Sequence, residues 1–337
     1  MNQSQLKRFL VDMYTSDPNV SVWIEGPPGT GKSQIIKQVA LDLGEEYGGL
    51  FSHVDIRPLG QDRTDVMGFP EISEGLTHWR PQAQLPKEGR GFIVLEELAL
   101  APPSVQGPWL QLMTEGCLGA YTKPEKVQII ATSNHVEAGA GSGHILNSLR
   151  QRFTHVTLKP ELQEWLNWAS KNNISTEIMS FLQLRPDLLN VHDPERETNQ
   201  PNLRNWTRLS SFYDSISKEV QLEAFSGTVG VGAGAEFMAF LQLKCAHNLE
   251  EIQAAPNTYP IPSNPSECWA LISALLSNSK DNLEKTVKAA KFIVRMSPEL
   301  ALFGIRLIQT RMPKVNLRKD SGILTFLGEH KDDLIGD

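Results

Sequence analysis

The octapeptide Gly26-Pro27-Pro28-Gly29-Thr30-Gly31-Lys32-Ser33 constrains this chain more than any other stretch. It fits the pattern G-x-x-x-x-G-K-[ST], and its flanks suit it. Residues 20–24 read as a short buried strand, and residues 34–43 carry apolar side chains at helical spacing. A strand, a glycine loop and a helix start build a nest of backbone N–H groups at the positive end of a helix dipole, which is a phosphate site. Lys32 would reach the β- and γ-phosphates of a nucleoside triphosphate, and the Ser33 hydroxyl would ligate Mg²⁺. Glycine is needed there because a side chain would hold the backbone away from the phosphates.

The rest of the first half fits one fold around that loop. Residues 51–56, 91–95, 127–132 and 154–158 read as further strands, and residues 103–113 as a helix that opens on prolines, where they are tolerated. Strands alternating with helices predict an α/β fold, a parallel sheet with helices on both faces and nucleotide at the carboxyl ends of the strands. From residue 161 the pattern turns helical. Helices are expected over 161–169, 175–184, 206–217, 233–243, 267–276, 281–296 and 298–310. The polar stretch 185–201 reads as an exposed excursion, and the proline-rich stretch 255–265 as irregular.

Composition narrows the function classes. A formal net charge of −7 over 337 residues argues against non-specific nucleic-acid binding. Cys117, Cys245 and Cys268 are scattered, which predicts neither a disulfide framework nor a zinc site and makes a reducing cytoplasm the default. No signal peptide or membrane span is expected.

Four further features have the chemistry of a hydrolytic site. The apolar strand ending at Leu95 leads into Glu96-Glu97. A carboxylate at Glu96 can hold Mg²⁺ through water, and one at Glu97 can polarise the attacking water as general base. The strand ending at Thr132 leads into Ser133-Asn134, and the Asn134 amide could orient that water or touch the γ-phosphate. Two arginines, Arg150 and Arg152, compete to neutralise charge on the transferring phosphoryl group. Arg152, followed by the apolar anchor Phe153, is the stronger candidate. Arg204, at the start of a later helix, could report nucleotide state to the helical half.

This order of motifs resembles the AAA+ ATPases, specifically the MoxR-like branch and a bacterial and phage subset of it. Gly26 to Ser33 resembles Walker A, Phe92 to Glu97 Walker B, Ala131-Thr132-Ser133-Asn134 sensor 1, Arg152-Phe153 the arginine finger, and Pro201 to Trp206 sensor 2. The family's D-E-I-N-R-A-P-P-x-x-Q corresponds to Glu96 through Gln106, with Glu96 in place of Asp and Ala99-Leu100 in place of Asn-Arg. The resemblance implies an αβα nucleotide-binding core over 1–159, an α-helical lid over 160–250, and a helical C-terminal extension over 251–337. It also implies a Mg²⁺-dependent ATPase working as a homo-oligomeric ring, most often a hexamer, with the finger acting on the neighbouring subunit. Residues 59–70 sit where pore-facing loops lie in such rings. A separate von Willebrand A-type partner and a protein client are expected. Two other readings stay open: a nucleic-acid motor or loader, and an ATP-gated scaffold with vestigial hydrolysis.

Overall fold

Strand β1 (Ser21–Glu25) is an inner strand, next to the central one, of the sheet that organises the first half of the chain. The computed structural model describes residues 1–134, 145–193, 195–196, 198–243, 247–280 and 282–331, which fall into two compact units, Met1–Glu161 and Leu162–Asp337. Cys245 and Asp281, the expected start of one helix, lie outside the described residues.

In the first unit, β1 is joined by β2 (Phe51–Ile56), a hairpin of β3 (Phe69–Ser73) and β4 (Leu76–Arg80), and β5 (Arg90–Leu95). A two-strand ribbon of β6 (Cys117–Leu118) and β7 (Tyr121–Thr122) follows, then β8 (Lys126–Ser133) and β9 (Phe153–Thr157). The main sheet has the order β2-β5-β8-β1-β9, and all its pairs are parallel. Its residues alternate between two cores, as a sheet covered on both faces requires. Val22, Ile24, Phe92 and Val94 pack on one side with Leu6 and Leu10 of α1 (Gln3–Ser16) and Ile36 and Val39 of α2 (Lys32–Glu46). Trp23, Ile93 and Leu95 pack on the other with Val105, Trp109 and Leu112 of α4 (Pro103–Glu115). The short helices α3 (Arg63–Met67) and α5 (Asn147–Arg150) complete the unit.

Register sets the site. Leu95 stands opposite Ala131, and Ile24 opposite Thr132, so the three central strands end at nearly one level. Strand β8 lies between β1 and β5, which puts Asn134 between the phosphate loop and the Glu96-Glu97 pair.

The stretch 59–70 is not a plain loop. It holds α3, closed by a capping box from Asp62 to Asp65, with Val66 buried, and then enters the hairpin. The hairpin turns on Glu74 and Gly75, both at positive φ, the backbone that matches strand twist. Its apolar residues Phe69, Ile72 and Leu76 point outward, with Ile72 81% exposed.

The second unit is helical throughout its described residues. Its helices are α6 (Leu162–Lys171), α7 (Thr176–Leu184), α8 (Leu203–Ser210), α9 (Gln221–Val229), α10 (Val231–Leu243), α11 (Leu249–Ala254), α12 (Pro265–Ser279), α13 (Leu283–Ile293), α14 (Pro298–Arg311) and α15 (Ser321–Glu329). One continuous core runs from Trp165 to Phe326, so the helices after residue 250 share it with those before. Helix α12 is buried nearly all round, from Cys268 to Leu276, as a central helix must be.

Two expectations change here. The helix expected over 206–217 spans Leu203–Ser210 instead; the Ser210 hydroxyl accepts the Ser175 N–H at 2.7 Å as the chain turns away. The stretch 185–201 is exposed at residues 192, 195, 196, 198 and 199 as expected, but its ends are pinned: Leu189 is buried, Val191 N–H donates to the Pro201 carbonyl at 2.8 Å, and the Leu188 carbonyl accepts Trp206 Nε1–H at 2.8 Å.

Candidate functional site

The phosphate loop joins β1 to α2 with no side-chain cap on the helix start. The residue there is Gly31, at φ 91° and ψ 18°, a left-handed conformation that an L side chain resists. A Cβ at Gly31 would meet nothing within 4 Å, so backbone conformation, not crowding, dictates glycine. At Gly26 the reason is different: a Cβ would stand 2.8 Å from the Leu158 carbonyl oxygen. The first-turn N–H groups of α2 are therefore aimed into a loop of small residues, the arrangement that binds phosphate. Thr30 closes the loop, donating through its hydroxyl to the Pro27 carbonyl at 2.9 Å.

Lys32 is buried, at 7% exposure. Its Nζ donates to the carbonyls of Gly26 at 2.9 Å and Pro27 at 3.1 Å, and to Asn134 Oδ1 at 3.1 Å. The structure thus brings together the ammonium and the amide that the sequence reading assigned to the same phosphate. Asn134 is positioned from behind by Ser133, whose carbonyl accepts Gly26 N–H at 3.3 Å and whose buried hydroxyl accepts Trp23 Nε1–H at 2.8 Å.

Glu96 and Glu97 follow β5 and are both half-buried. Glu96 N–H donates to the Ile56 carbonyl at 2.8 Å, continuing the β2–β5 ladder by one residue. Its Oε2 accepts the Thr132 hydroxyl at 2.5 Å, and that same hydroxyl accepts Glu97 N–H at 3.3 Å. Glu97 has φ 54° and ψ 40°, uncommon for a residue with a side chain. This left-handed residue ends the strand path and begins the following 3₁₀ turn.

Ala99, where the family pattern has Asn, is buried at 3% beside Leu98 at 0%. Packing occupies that turn. Beyond it, Gln106 is fully buried and donates to the Ala101 carbonyl at 2.7 Å.

Arg150 ends α5, and Arg152 follows two residues later; both side chains are exposed. Arg152 N–H donates to the Leu149 carbonyl at 3.1 Å, which fixes its backbone, while its guanidinium makes no ion pair among the described residues. Arg204 belongs to the second unit, exposed in the first turn of α8 after the Asn202 cap.

The residues fit a nucleotide with Mg²⁺. The cradle is glycine-shaped, and the Ser33 hydroxyl and Glu96 carboxylate are hard oxygen donors. Among the described residues no cluster of three His, Cys, Asp or Glu side chains forms a protein-only metal cage. A metal here would share its coordination with phosphate oxygens and water, as Mg²⁺ does in such sites.

Sequence reasoning did not single out Thr132, Trp23 or Ser133. Thr132 was visible only as part of A-T-S-N, and its role depends on the β5–β8 register that no local pattern reveals.

Residues 21–153 match the AAA domain family, dynein-related subfamily. Over 121 residues the chain is 30% identical to the protein MoxR of Paracoccus denitrificans, a match that spans 34% of this chain and about a third of that protein. Among solved structures, NtrX from Brucella abortus aligns at TM-score 0.42 and 14% identity, covering 91% of this chain and 67% of its own. A DNA polymerase III gamma subunit-related protein from Thermotoga maritima aligns at TM-score 0.36 and 12% identity, covering 98% and 99%. At such scores neither structural likeness carries a functional argument. The family match supports nucleotide binding and ATPase activity at the general level. Residues 21–153 are thus similar to the AAA domain, in a chain that resembles the MoxR-like AAA+ ATPases.

Proposed function

We propose that the chain is a Mg²⁺-dependent ATPase that works as an oligomeric ring, on the hexameric plan, and remodels a protein client together with a separate von Willebrand A-type protein. One observation carries the hydrolytic part. Lys32 and Asn134 are in contact, and Asn134 follows the strand that lies between the phosphate loop and Glu96-Glu97. Bound nucleotide and Mg²⁺ would supply the electrophilic phosphorus and part of the charge neutralisation.

The chain's own groups do the rest. The α2 N-terminus and Lys32 bind and orient the phosphates, and Ser33 and Glu96 supply metal-ligand oxygens. Asn134 holds the attacking water by its amide. Glu97 accepts that water's proton, so the products are ADP, inorganic phosphate and a proton returned to solvent. The exposed Arg152 guanidinium, on an anchored backbone, suits a site on the neighbouring subunit, and Arg204 a readout of nucleotide state. We assign the client contact to the β3–β4 hairpin, which exposes the apolar Phe69 and Leu76 on one face and Ile72 on the other. Cytoplasmic operation accords with the scattered cysteines, and no described helix is long and apolar enough to cross a membrane.

The test is a pair of variants. Glu97→Gln is expected to bind ATP with near-native affinity and to lose turnover by about 10²–10⁴-fold, the range for a general base. Mixing it with inactive Arg152→Ala subunits is expected to restore activity at shared sites. Full activity of Arg152→Ala alone, or of dilute monomers, overturns the ring mechanism.

A further inference from the structure

The short helix α5, which delivers Arg150 and then Arg152, is tethered at both ends, and each tether leads to a different hydrolytic residue. At its start, Leu146 N–H donates to Gln106 Oε1 at 2.8 Å. The same buried Gln106 amide donates through Nε2 to the Ala101 carbonyl at 2.7 Å. Ala101 is joined to Glu97 by a single 3₁₀ turn, in which Leu100 N–H returns to the Glu97 carbonyl at 2.9 Å and Ala101 N–H to that of Leu98 at 3.1 Å. A shift of the Glu97 turn therefore pulls on α5 through one side chain.

At its end, the Arg150 carbonyl oxygen lies 2.9 Å from His155 Nε2, which must carry the proton to donate there. The His155 ring stacks on Trp23, with centroids 5.5 Å apart and planes at 21°. Phe153 meets the same indole edge-on at 5.0 Å and 89°. Trp23 is fully buried and donates to Ser133 Oγ at 2.8 Å, and Ser133 directly precedes Asn134. The second tether thus runs from the residue that touches Lys32 to the carbonyl of Arg150. Leu149, buried between the two tethers, leaves α5 little freedom to move apart from them.

We propose that Gln106 and His155 are positioning residues for the arginine finger, which make the finger that a subunit presents to its neighbour depend on the state of its own Glu97 turn and Asn134 strand. The inference rests on the trans-acting finger proposed above. Neither residue touches nucleotide. Each acts through Arg152, whose backbone is bonded to Leu149 inside the tethered segment. Displacing a catalytic group by about an ångström costs on the order of a hundredfold in rate, so loss of one tether should be felt mainly at the neighbour's site.

The test exploits that asymmetry. In mixed oligomers of Glu97→Gln and Arg152→Ala subunits, the working sites belong to Arg152→Ala subunits and the working fingers to Glu97→Gln subunits. His155→Ala is placed in one partner or the other; its exposed side chain makes it a mild substitution for folding. In the finger-donating subunits it is expected to lower the mixture's ATPase rate by about tenfold or more. In the site-providing subunits, which have no finger to position, the rate should stay within about twofold. His155→Gln in the donor, whose amide N–H can reach the same carbonyl, should recover most of the loss. Gln106→Glu, which keeps the acceptor for Leu146 but cannot donate to Ala101, should show the same asymmetry. Equal losses from both placements, or no loss from either, overturn the inference while leaving the trans finger intact. If the parental mixture is no more active than Arg152→Ala alone, the trans finger falls and the inference falls with it.

Discussion

The Thr132 hydroxyl donates to Glu96 Oε2 at 2.5 Å and accepts the Glu97 N–H at 3.3 Å, so one β-strand side chain holds both carboxylate residues that follow the neighbouring strand. Thr132→Val keeps the shape and removes both bonds. Loss of a buried partner costs about 1–3 kcal/mol, which chemical denaturation would read as a lower midpoint. Because the Glu96 carboxylate and the Glu97 backbone both lose their anchor, the ATPase rate should also fall, by about tenfold to a hundredfold. A Thr132→Val protein with native turnover would show that the hydroxyl does not position the pair.

Gly31→Ala separates conformation from space. Its added methyl group has room, but φ 91° does not suit it. The expected cost is about 1–2 kcal/mol, concentrated in the loop, and it should appear as weaker nucleotide binding with a nearly unchanged far-ultraviolet spectrum. Titration with a fluorescent ATP analogue checks this; unchanged affinity would mean that the loop adopts another conformation when nucleotide binds.

In the second unit, Arg311 serves as a cross-brace. Its guanidinium donates to the carbonyls of Ser170 at 3.2 Å, Ala169 at 3.3 Å and Ile174 at 2.5 Å, and to Thr176 Oγ1 at 3.1 Å. These groups flank the α6–α7 turn, and burial lowers the Arg311 pKa from its ordinary value. Arg311→Leu should destabilise this unit by roughly 2–4 kcal/mol, because several buried carbonyls lose their donor at once. Arg311→Lys should rescue little, since an ammonium cannot fan across the same acceptors. Urea denaturation of the two variants distinguishes these outcomes.

Asp320 gives a pH signature. It caps α15, accepting the Gly322 and Ile323 N–H groups at 3.1 and 3.2 Å, and pairs with Lys291 at 2.8 Å. The Lys291 hydrogen bond, foremost, lowers its pKa below the ordinary 3.8. A depressed native pKa means that the unfolded carboxylate takes up protons first. The stabilisation is therefore whole above pH 3.8 and is lost as pH falls through the lowered native value. Asp320→Asn should thus be less stable than the parent at neutral pH, with the gap closing in acid. A gap that persists below that window would assign the effect to the cap alone.

Much of the first unit was legible because its inner strands, β1, β5 and β8, are buried on both faces. The expected strand over 51–56 is β2 without adjustment, and the expected 91–95 and 127–132 each gain a residue or two at the ends. The hairpin β3–β4 was not legible. Its residues are almost all exposed, so no alternation marks it, and its Glu74-Gly75 turn lacks the Asn-Gly or Asp-Gly signal of such loops. Helix α9 was missed because Gly227 and a β-branched end disguise it, while packing of Phe225 and Val229 holds it in place. The site followed the same division. Lys32, Glu97 and Asn134 could be read from motifs, each beside a strand end. Trp23 and Gln106 act through partners 110 and 40 residues away, and only the tertiary fold joins them.

The left-handed backbone of Glu97 has a consequence for the history of such chains. Holding a glutamate at φ 54° costs roughly 1–3 kcal/mol against a glycine at the same place. A lineage in which turnover no longer mattered would gain stability with that one substitution, and the exchange lies a single nucleotide change away from either glutamate codon. On the general-base role proposed above, the strained carboxylate would be kept for hydrolysis rather than for stability. Glycine at this position in a related chain would identify one that keeps the nucleotide but has given up the reaction.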